Sequence, residues 1–211
     1  MATSITHATC CDCRQVFDVT FFGHSIEVAV TSMPEFVGAW IANIENMHHR
    51  RIRRGGLIVG LDVEWRPNFR PNSPQNPVSL LQLCVGHMCL VFQLQYASEL
   101  PQSLADFLGN DDYTFVGVGI AGDAQRLYDD CGLVVSNGVD LCFLAADSPG
   151  LRNAGLTALA KEVLDVDYNK PRTITMSNWA KEQLSDAQIQ YACIDAFLSF
   201  EIGRCLGAAN R

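Results

Sequence analysis

Four carboxylates and one phenol, carried by three short segments, are the side chains in this chain best suited to chemistry. Asp62 and Glu64 lie in Leu61-Asp-Val-Glu-Trp65, Asp123 closes Phe115-Val-Gly-Val-Gly-Ile-Ala-Gly-Asp123, and Tyr191 and Asp195 bound Tyr191-Ala-Cys-Ile-Asp195. Strand side chains alternate, so Asp62 and Glu64 share a face about 7 Å apart along the chain. Like charges that close raise each other's pKa unless a cation lies between them. Tyr191 and Asp195, four residues apart, share a helix face at roughly 6 Å along the axis. Asp123 follows a Gly-rich strand end, where open α/β sheets build their sites. Acids set among residues this apolar need a cation to hold them together. Hard divalent cations acting on phosphodiesters are the chemistry that fits.

Taken singly, each feature has an ordinary structural reading. Asp-x-Glu can be a solvated strand face, Asp123 a helix cap, and Tyr191 with Asp195 two surface residues. Residues 57–61 are apolar at every non-Gly position, which speaks against a strand wet on one side. Trp65, beside the acid pair, suits either core packing or stacking on a base. The specificity lies in the conjunction.

These residues need elements to hold them. Residues 17–22 and 26–30 read as a β-hairpin around Gly23-His-Ser25. Ser32-Met-Pro-Glu35 opens a helix, with Ser32 as N-cap, Pro34 in the first turn and Glu35 at the capping-box position. Val37, Trp40, Ile41, Ile44 and Met47 continue it at helical spacing up to Gly55-Gly56. Residues 57–65 form a buried strand, with 78–85 and 88–94 as antiparallel neighbours joined at Gly86-His87. The Pro- and Asn-rich stretch 66–77 is a loop. Helices are expected at 100–108, 121–131 and 156–164, strands at 114–119 and 139–144, and a loop at 169–176. A last helix spans 185–203 with Ser185 as N-cap. This pattern gives an α/β fold with a mixed five-to-six-stranded sheet flanked by helices. Residues 1–15 are expected to be a flexible tail, and residues 16–207 one domain.

At 211 residues the chain suits a single core. No apolar run is long enough to span a membrane, and the N-terminal residues lack the pattern of a secretory leader. The nine cysteines are an odd number. Cys84, Cys89, Cys142 and Cys193 sit in apolar stretches as small hydrophobes, so a reduced intracellular setting is expected. Cys10, Cys11 and Cys13 lack a second pair at zinc-finger spacing. The formal charge of −8 argues against binding nucleic acid through net charge alone. His48-His-Arg-Arg-Ile-Arg-Arg54 nevertheless holds four of the 15 Lys and Arg, leaving the remainder at −12. Two readings stand: cations complementing a helix C-terminus, which is preferred, or a phosphate-contacting patch.

The acids and their neighbours resemble the DEDD superfamily of 3′–5′ exonucleases, in the subgroup whose last motif is Tyr-x-x-x-Asp. Asp62 and Glu64 match the first motif, Asp123 the second, and Tyr191 with Asp195 the third. The run through Asp123, Leu80-Leu-Gln-Leu-Cys84 and Ser177-Asn-Trp179 are similar to the Werner-syndrome-exonuclease-like branch. The resemblance covers about residues 55–205. It implies a DnaQ-like (RNase H-like) fold, with the amino-terminal hairpin as an extension, and two Mg²⁺ or Mn²⁺ ions roughly 3.5–4 Å apart. Asp62 would bridge both ions, Glu64 and Asp195 would complete the ligands of the first ion, and Asp123 would hold the second ion, through water. Tyr191 would orient or deprotonate the attacking water, orientation being preferred because a free phenol has a pKa of about 10. The compact form is similar to small plant exoribonucleases that clear fragments from the RNA-silencing complex. That likeness implies single-stranded 3′ ends as substrate, RNA rather than DNA, a homo-oligomer (a hexamer in those relatives), contact with the silencing machinery and a cytoplasmic rather than nuclear place. A DNA exonuclease and an idle nuclease fold serving as a scaffold stay open as alternatives.

Overall fold

The computed structural model describes residues 3–11, 14–70, 73–145, 151 and 153–210. Its eight strands are β1 (Ser4–Cys11), β2 (Arg14–Phe21), β3 (His24–Thr31), β4 (Leu57–Trp65), β5 (Val78–Val85), β6 (Met88–Phe92), β7 (Tyr113–Gly117) and β8 (Gly138–Asp140). They form one sheet in the order β1-β2-β3-β6-β5-β4-β7-β8. The helices are α1 (Pro34–Ile52), α2 (Gln102–Leu108), α3 (Ile120–Cys131), α4 (Leu141–Leu144), α5 (Leu156–Leu164), α6 (Arg172–Thr175) and α7 (Asp186–Cys205). The α/β class and the mixed sheet are as expected. β5 pairs antiparallel with both β4 and β6, and β4 pairs parallel with β7.

The sheet is wider than the five or six strands expected, because the hairpin does not stand apart. β3 lies parallel to β6 from Glu27↔Met88 to Thr31↔Phe92 and joins the hairpin to the sheet. Phe17, Val19, Phe21, Ile26, Val28 and Val30 all enter the core. Residues 1–15 are not a flexible tail throughout: β1 pairs antiparallel with β2 from Ser4↔Thr20 to Cys11↔Arg14. Edge-strand pairing is made by backbone groups. Ser4-Ile-Thr-His-Ala-Thr-Cys-Cys11 carries little apolar patterning to announce it. Cys13, and the side chains of Cys10 and Cys11, lie outside the described residues.

Two other expectations change. The N-cap of α1 is Met33, and Thr31 Oγ1 accepts a hydrogen bond from its backbone N–H at 3.0 Å, so Ser32 is not the cap. The strand expected at 139–144 ends at Asp140. There Oδ1 accepts from the Cys142 N–H at 2.8 Å, and the chain turns into α4. Asp140 is both strand end and helix cap, a dual role that apolar patterning does not reveal. At α7 the expected cap is present: Ser185 and Gln188 form a reciprocal capping box.

α7 positions the site. It packs against β4, β5, β6 and β7, and α5 packs on it in turn. Fifteen of its residues are buried, as befits a helix enclosed nearly all round rather than along one stripe. Its contact with β4 is made at Gly60, where a β-carbon would stand 2.0 Å from the Ala196 carbonyl oxygen and 2.7 Å from the Phe200 nitrogen. On the opposite face, Val59 and Phe115 are cross-strand partners, and Phe107 of α2 packs on Phe115 and on Trp40 of α1. Replacing Gly60 by Ala must push α7 off the sheet. The expected loss is about 2–3 kcal/mol of stability, typical of overpacking, measured by urea unfolding and accompanied by loss of divalent-cation binding. A fully stable Gly60→Ala protein would contradict this packing.

Candidate active site

The alternation of β4 turns Gly60, Asp62 and Glu64 toward α7. Asp195 lies next to Ala196, the residue seated on Gly60, so the same contact carries its carboxylate to the strand acids. Asp62, Glu64 and Asp195 each present an oxygen within 4.8 Å of the other two. They line a cleft of about 540 Å³ with Trp65, Asp123, Lys170 and Tyr191. Asp62 and Glu64 are half-buried, whereas Asp195 is 1% exposed.

Asp123 arrives from the other side of the cleft. It stands in the first turn of α3, whose N-cap, Gly119, has φ +74°, a conformation that favours glycine. The Gly119 N–H donates to Asp140 Oδ2 at 2.8 Å, fixing the turn. Asp123 is not part of the tight trio, but its charge acts on Asp62. Tyr191 lies one helical turn before Asp195, against Trp179, with ring centroids 5.6 Å apart. The Thr175 hydroxyl donates to Tyr191 Oη at 3.2 Å. The structure thus brings all five candidate residues to one cleft.

Trp65 is also in the cleft, but one face of its ring carries the Arg126 guanidinium 3.8 Å from the centroid. That contact is a cation–π pair, and it leaves less of the ring for a base than the sequence alone suggested. Lys170, Thr175 and Arg126 were not foreseen. Lys170 Nζ lies 2.5 Å from Asp195 Oδ2 and 5.1 Å from the Tyr191 ring centroid. It comes from the stretch 169–176 expected to be loop, where α6 adds one helical turn. A single lysine in such a stretch carries no local signal. Arg126 does, because it follows Asp123 by three residues on one helix.

The electrostatics are those of an anionic site without enough positive charge. Burial, then Asp195 and Asp123, push the Asp62 carboxyl well above its usual range. Burial and Asp62 push Glu64 up to about 10. Burial raises Asp123 to about 7 against the pull of Arg126. Burial also raises Asp195, although Lys170 and the Tyr191 hydroxyl hold it down. The Tyr191 phenol itself goes up to about 12, through burial and the neighbouring Asp195. Asp195 Oδ1 is buried with no hydrogen-bond partner among the described residues. Buried polar atoms are rarely left so. An oxygen-only donor set with one such orphan fits Mg²⁺ or Mn²⁺, which take carboxylates and water.

The chain is similar to known proteins over most of its length. A 3′–5′ exonuclease family profile matches residues 31–207. A 3′–5′ exonuclease of Arabidopsis thaliana is 34% identical over 165 residues, covering 77% of this chain and 57% of that protein. The bifunctional 3′–5′ exonuclease/ATP-dependent helicase WRN of Mus musculus is 33% identical over 154 residues, covering 72% of this chain and 11% of that protein. The chain therefore spans little more than half of the first relative and a small part of the second. Among solved structures, Escherichia coli RNase D, an exoribonuclease involved in structured RNA processing, superposes with a TM-score of 0.68 at 17% identity, covering 85% of this chain and 44% of that one. That is a likeness of fold.

Carboxyls with raised pKa values make stability depend on pH with a definite sign. Their contribution is complete below the unfolded values of 3.8 for Asp and 4.5 for Glu, and is lost as pH rises through about 7 for Asp123 and about 10 for Glu64. In EDTA the melting temperature should fall steadily between about pH 5 and about pH 9, and Mn²⁺ should remove most of that fall by supplying the missing charge. A melting temperature that rises with pH in EDTA would contradict the reading of these acids as mutually repelling.

Proposed function

The chain belongs to the 3′–5′ exonuclease family, and from that premise we propose that it is a metal-dependent hydrolase. In this reading it removes nucleoside monophosphates one at a time from the 3′ end of single-stranded nucleic acid. The observation that carries the reading is the meeting of Asp62, Glu64 and Asp195 within 4.8 Å, in a cleft that also holds Asp123 and Tyr191. When bound, two divalent ions supply a clamp on the attacking and leaving oxygens of an in-line displacement. Asp62, Glu64 and Asp195 would hold one ion, and Asp62 with Asp123 the other, with water filling the remaining positions.

The protein's own part is positioning. Water attacks the phosphorus of the last phosphodiester, the bond from phosphorus to the 3′ oxygen of the preceding nucleotide breaks, and the terminal nucleotide leaves as its 5′-monophosphate. Tyr191 orients that water. Its phenol is pushed up to about 12, so it keeps its proton at neutral pH and acts through its hydrogen bond rather than as a base. Thr175 fixes the hydroxyl in place. Lys170 holds Asp195 in orientation through their ion pair. At the scissile phosphate, where the chain's own groups are mostly acidic, bound ions would supply the positive charge.

We read the sugar as ribose on the likeness to the compact plant relatives. A time course with 3′- and 5′-labelled single-stranded RNA and DNA, with and without EDTA, tests polarity, sugar and metal need together. RNA should shorten stepwise from its 3′ end, faster than DNA, and EDTA should stop it. Asp62→Ala should lower kcat roughly 10³-fold or more, equivalent to about 4 kcal/mol of lost transition-state stabilisation, with the fold intact by circular dichroism. Tyr191→Phe should cost on the order of 10²-fold in kcat, the scale of a misplaced reactant, with Mn²⁺ binding preserved. Activity that persists in Asp62→Ala would remove the site from this place.

A further inference from the structure

The basic run at the end of α1 takes no part in the cleft. Arg50, Arg51, Arg53 and Arg54 are all exposed. Their preferred reading from sequence is service to the helix C-terminus, and the structure does not need them for that. The Arg53 N–H bonds the His49 carbonyl, the Arg54 and Gly56 N–H groups both bond the Arg51 carbonyl, and the Gly55 N–H bonds the Ile52 carbonyl, all at 2.9–3.2 Å. Backbone donors thus take the His49, Arg51 and Ile52 carbonyls, with Gly55 at φ +64° closing the turn. A macrodipole amounts to roughly half an elementary charge, far less than four guanidinium groups provide.

Two of these side chains are gathered with a third from elsewhere. Arg51 and Arg54 line a hollow of about 360 Å³ together with Gly56, Ile58, Ala209 and Arg204 from the end of α7. Arg204 is held by Glu201, with its Nε at 3.1 Å and its terminal nitrogen at 2.7 Å from Oε2. Among the described residues, no carboxylate lies within ion-pairing distance of Arg51 or Arg54. In a chain of net charge −8, this hollow instead gathers three guanidiniums, two of them without a carboxylate partner among the described residues, which favours an anionic ligand there. The guanidinium fork matches phosphate oxygens in pairs.

We propose that this hollow is a second nucleic-acid contact, which holds a backbone phosphate of the substrate away from the hydrolytic cleft. The ligand's identity rests on the exonuclease reading above. Ile58 on its rim and Asp62 in the cleft lie four residues, about 13 Å, apart on the face of β4 that α7 covers at Gly60, so a nucleic-acid strand joining them must pass around α7. A strand with its 3′ end at the acids reaches the hollow only after several nucleotides. The hollow therefore serves long substrates and leaves short ones untouched.

The test uses the full chain carrying Arg51→Ala and Arg54→Ala, both exposed positions, with Arg51→Lys and Arg54→Lys as the charge-conserving control. In Mn²⁺, KM for a single-stranded 20-mer should rise about 10-fold in the alanine variant at unchanged kcat, while a dinucleotide is cleaved with wild-type parameters. The slope of log affinity against log salt should fall by about 0.7 for each phosphate that the variant no longer neutralises. The lysine variant should recover most of the affinity. Anisotropy of a labelled 20-mer in EDTA, where nothing turns over, reads the hollow separately from hydrolysis. Wild-type protein should bind the 20-mer more tightly than a 4-mer, and the alanine variant should lose that difference. Equal binding by wild type and alanine variant, or a KM increase of the same size on the dinucleotide, overturns the proposal. Absence of hydrolysis by any of these proteins counts against the exonuclease reading, while anisotropy still decides the hollow.

Discussion

The seat of α7 on β4 at Gly60 governs the rest of this molecule. A helix can approach a strand this closely only where no side chain intervenes, and the gap left at Gly60 is too small for a single carbon. Once Ala196 rests there, Asp195 faces Asp62, and Tyr191 follows one turn earlier. The sheet covers one side of α7 and α5 another, so burial along the helix is nearly complete. The geometry of the acids is a by-product of packing, which is why it can be held firmly. A carboxylate on a flexible surface helix would turn toward water rather than toward two others.

That firmness has an electrostatic cost. Three carboxylates share an apolar seam, with a fourth acting on it from α3; burial raises all four, and Asp62, Asp195 and Asp123 raise their neighbours further. Lys170 offsets part of the repulsion by pairing with Asp195, yet the other oxygen of that carboxylate has no partner among the described residues. Sites where local energetics are poor while the scaffold is sound are where function is found. The same logic separates Tyr191 from a general base. Its surroundings are too anionic and too buried to favour a phenolate, so hydrogen bonding is the role left to it.

The outlying strands of the sheet lie largely outside the family match. The family profile begins at residue 31, the last residue of β3, so β1, β2 and nearly all of β3 lie outside the matched segment. They extend the sheet through β3 and β6, and their side chains still complete the core with Phe17, Phe21 and Ile26. The two-residue turn at Phe22 and Gly23, with φ of 46° and 87°, suits the right-handed twist of the flanking strands. The hairpin was readable because its arms alternate. β1 was not, because an edge strand is held by main-chain groups that all residues share.

What could be read from residue order alone was what depends on local periodicity and on chemical type. β4, β5 and α7 were visible as apolar runs and helical spacing, and Asp62, Glu64, Asp123, Tyr191 and Asp195 stood out as acids and a phenol in places too apolar to be solvated. The Ser185 cap was legible because its box closes within four residues. Lys170, Thr175 and the hollow of Arg51, Arg54 and Arg204 belong to the tertiary structure. Each depends on segments far apart in sequence meeting at distances of a few ångströms, and no local pattern encodes the angle at which a helix crosses a strand. Residue type and spacing determined which groups were available. The packing at Gly60, by dictating how closely α7 lies on β4, decided which of them meet.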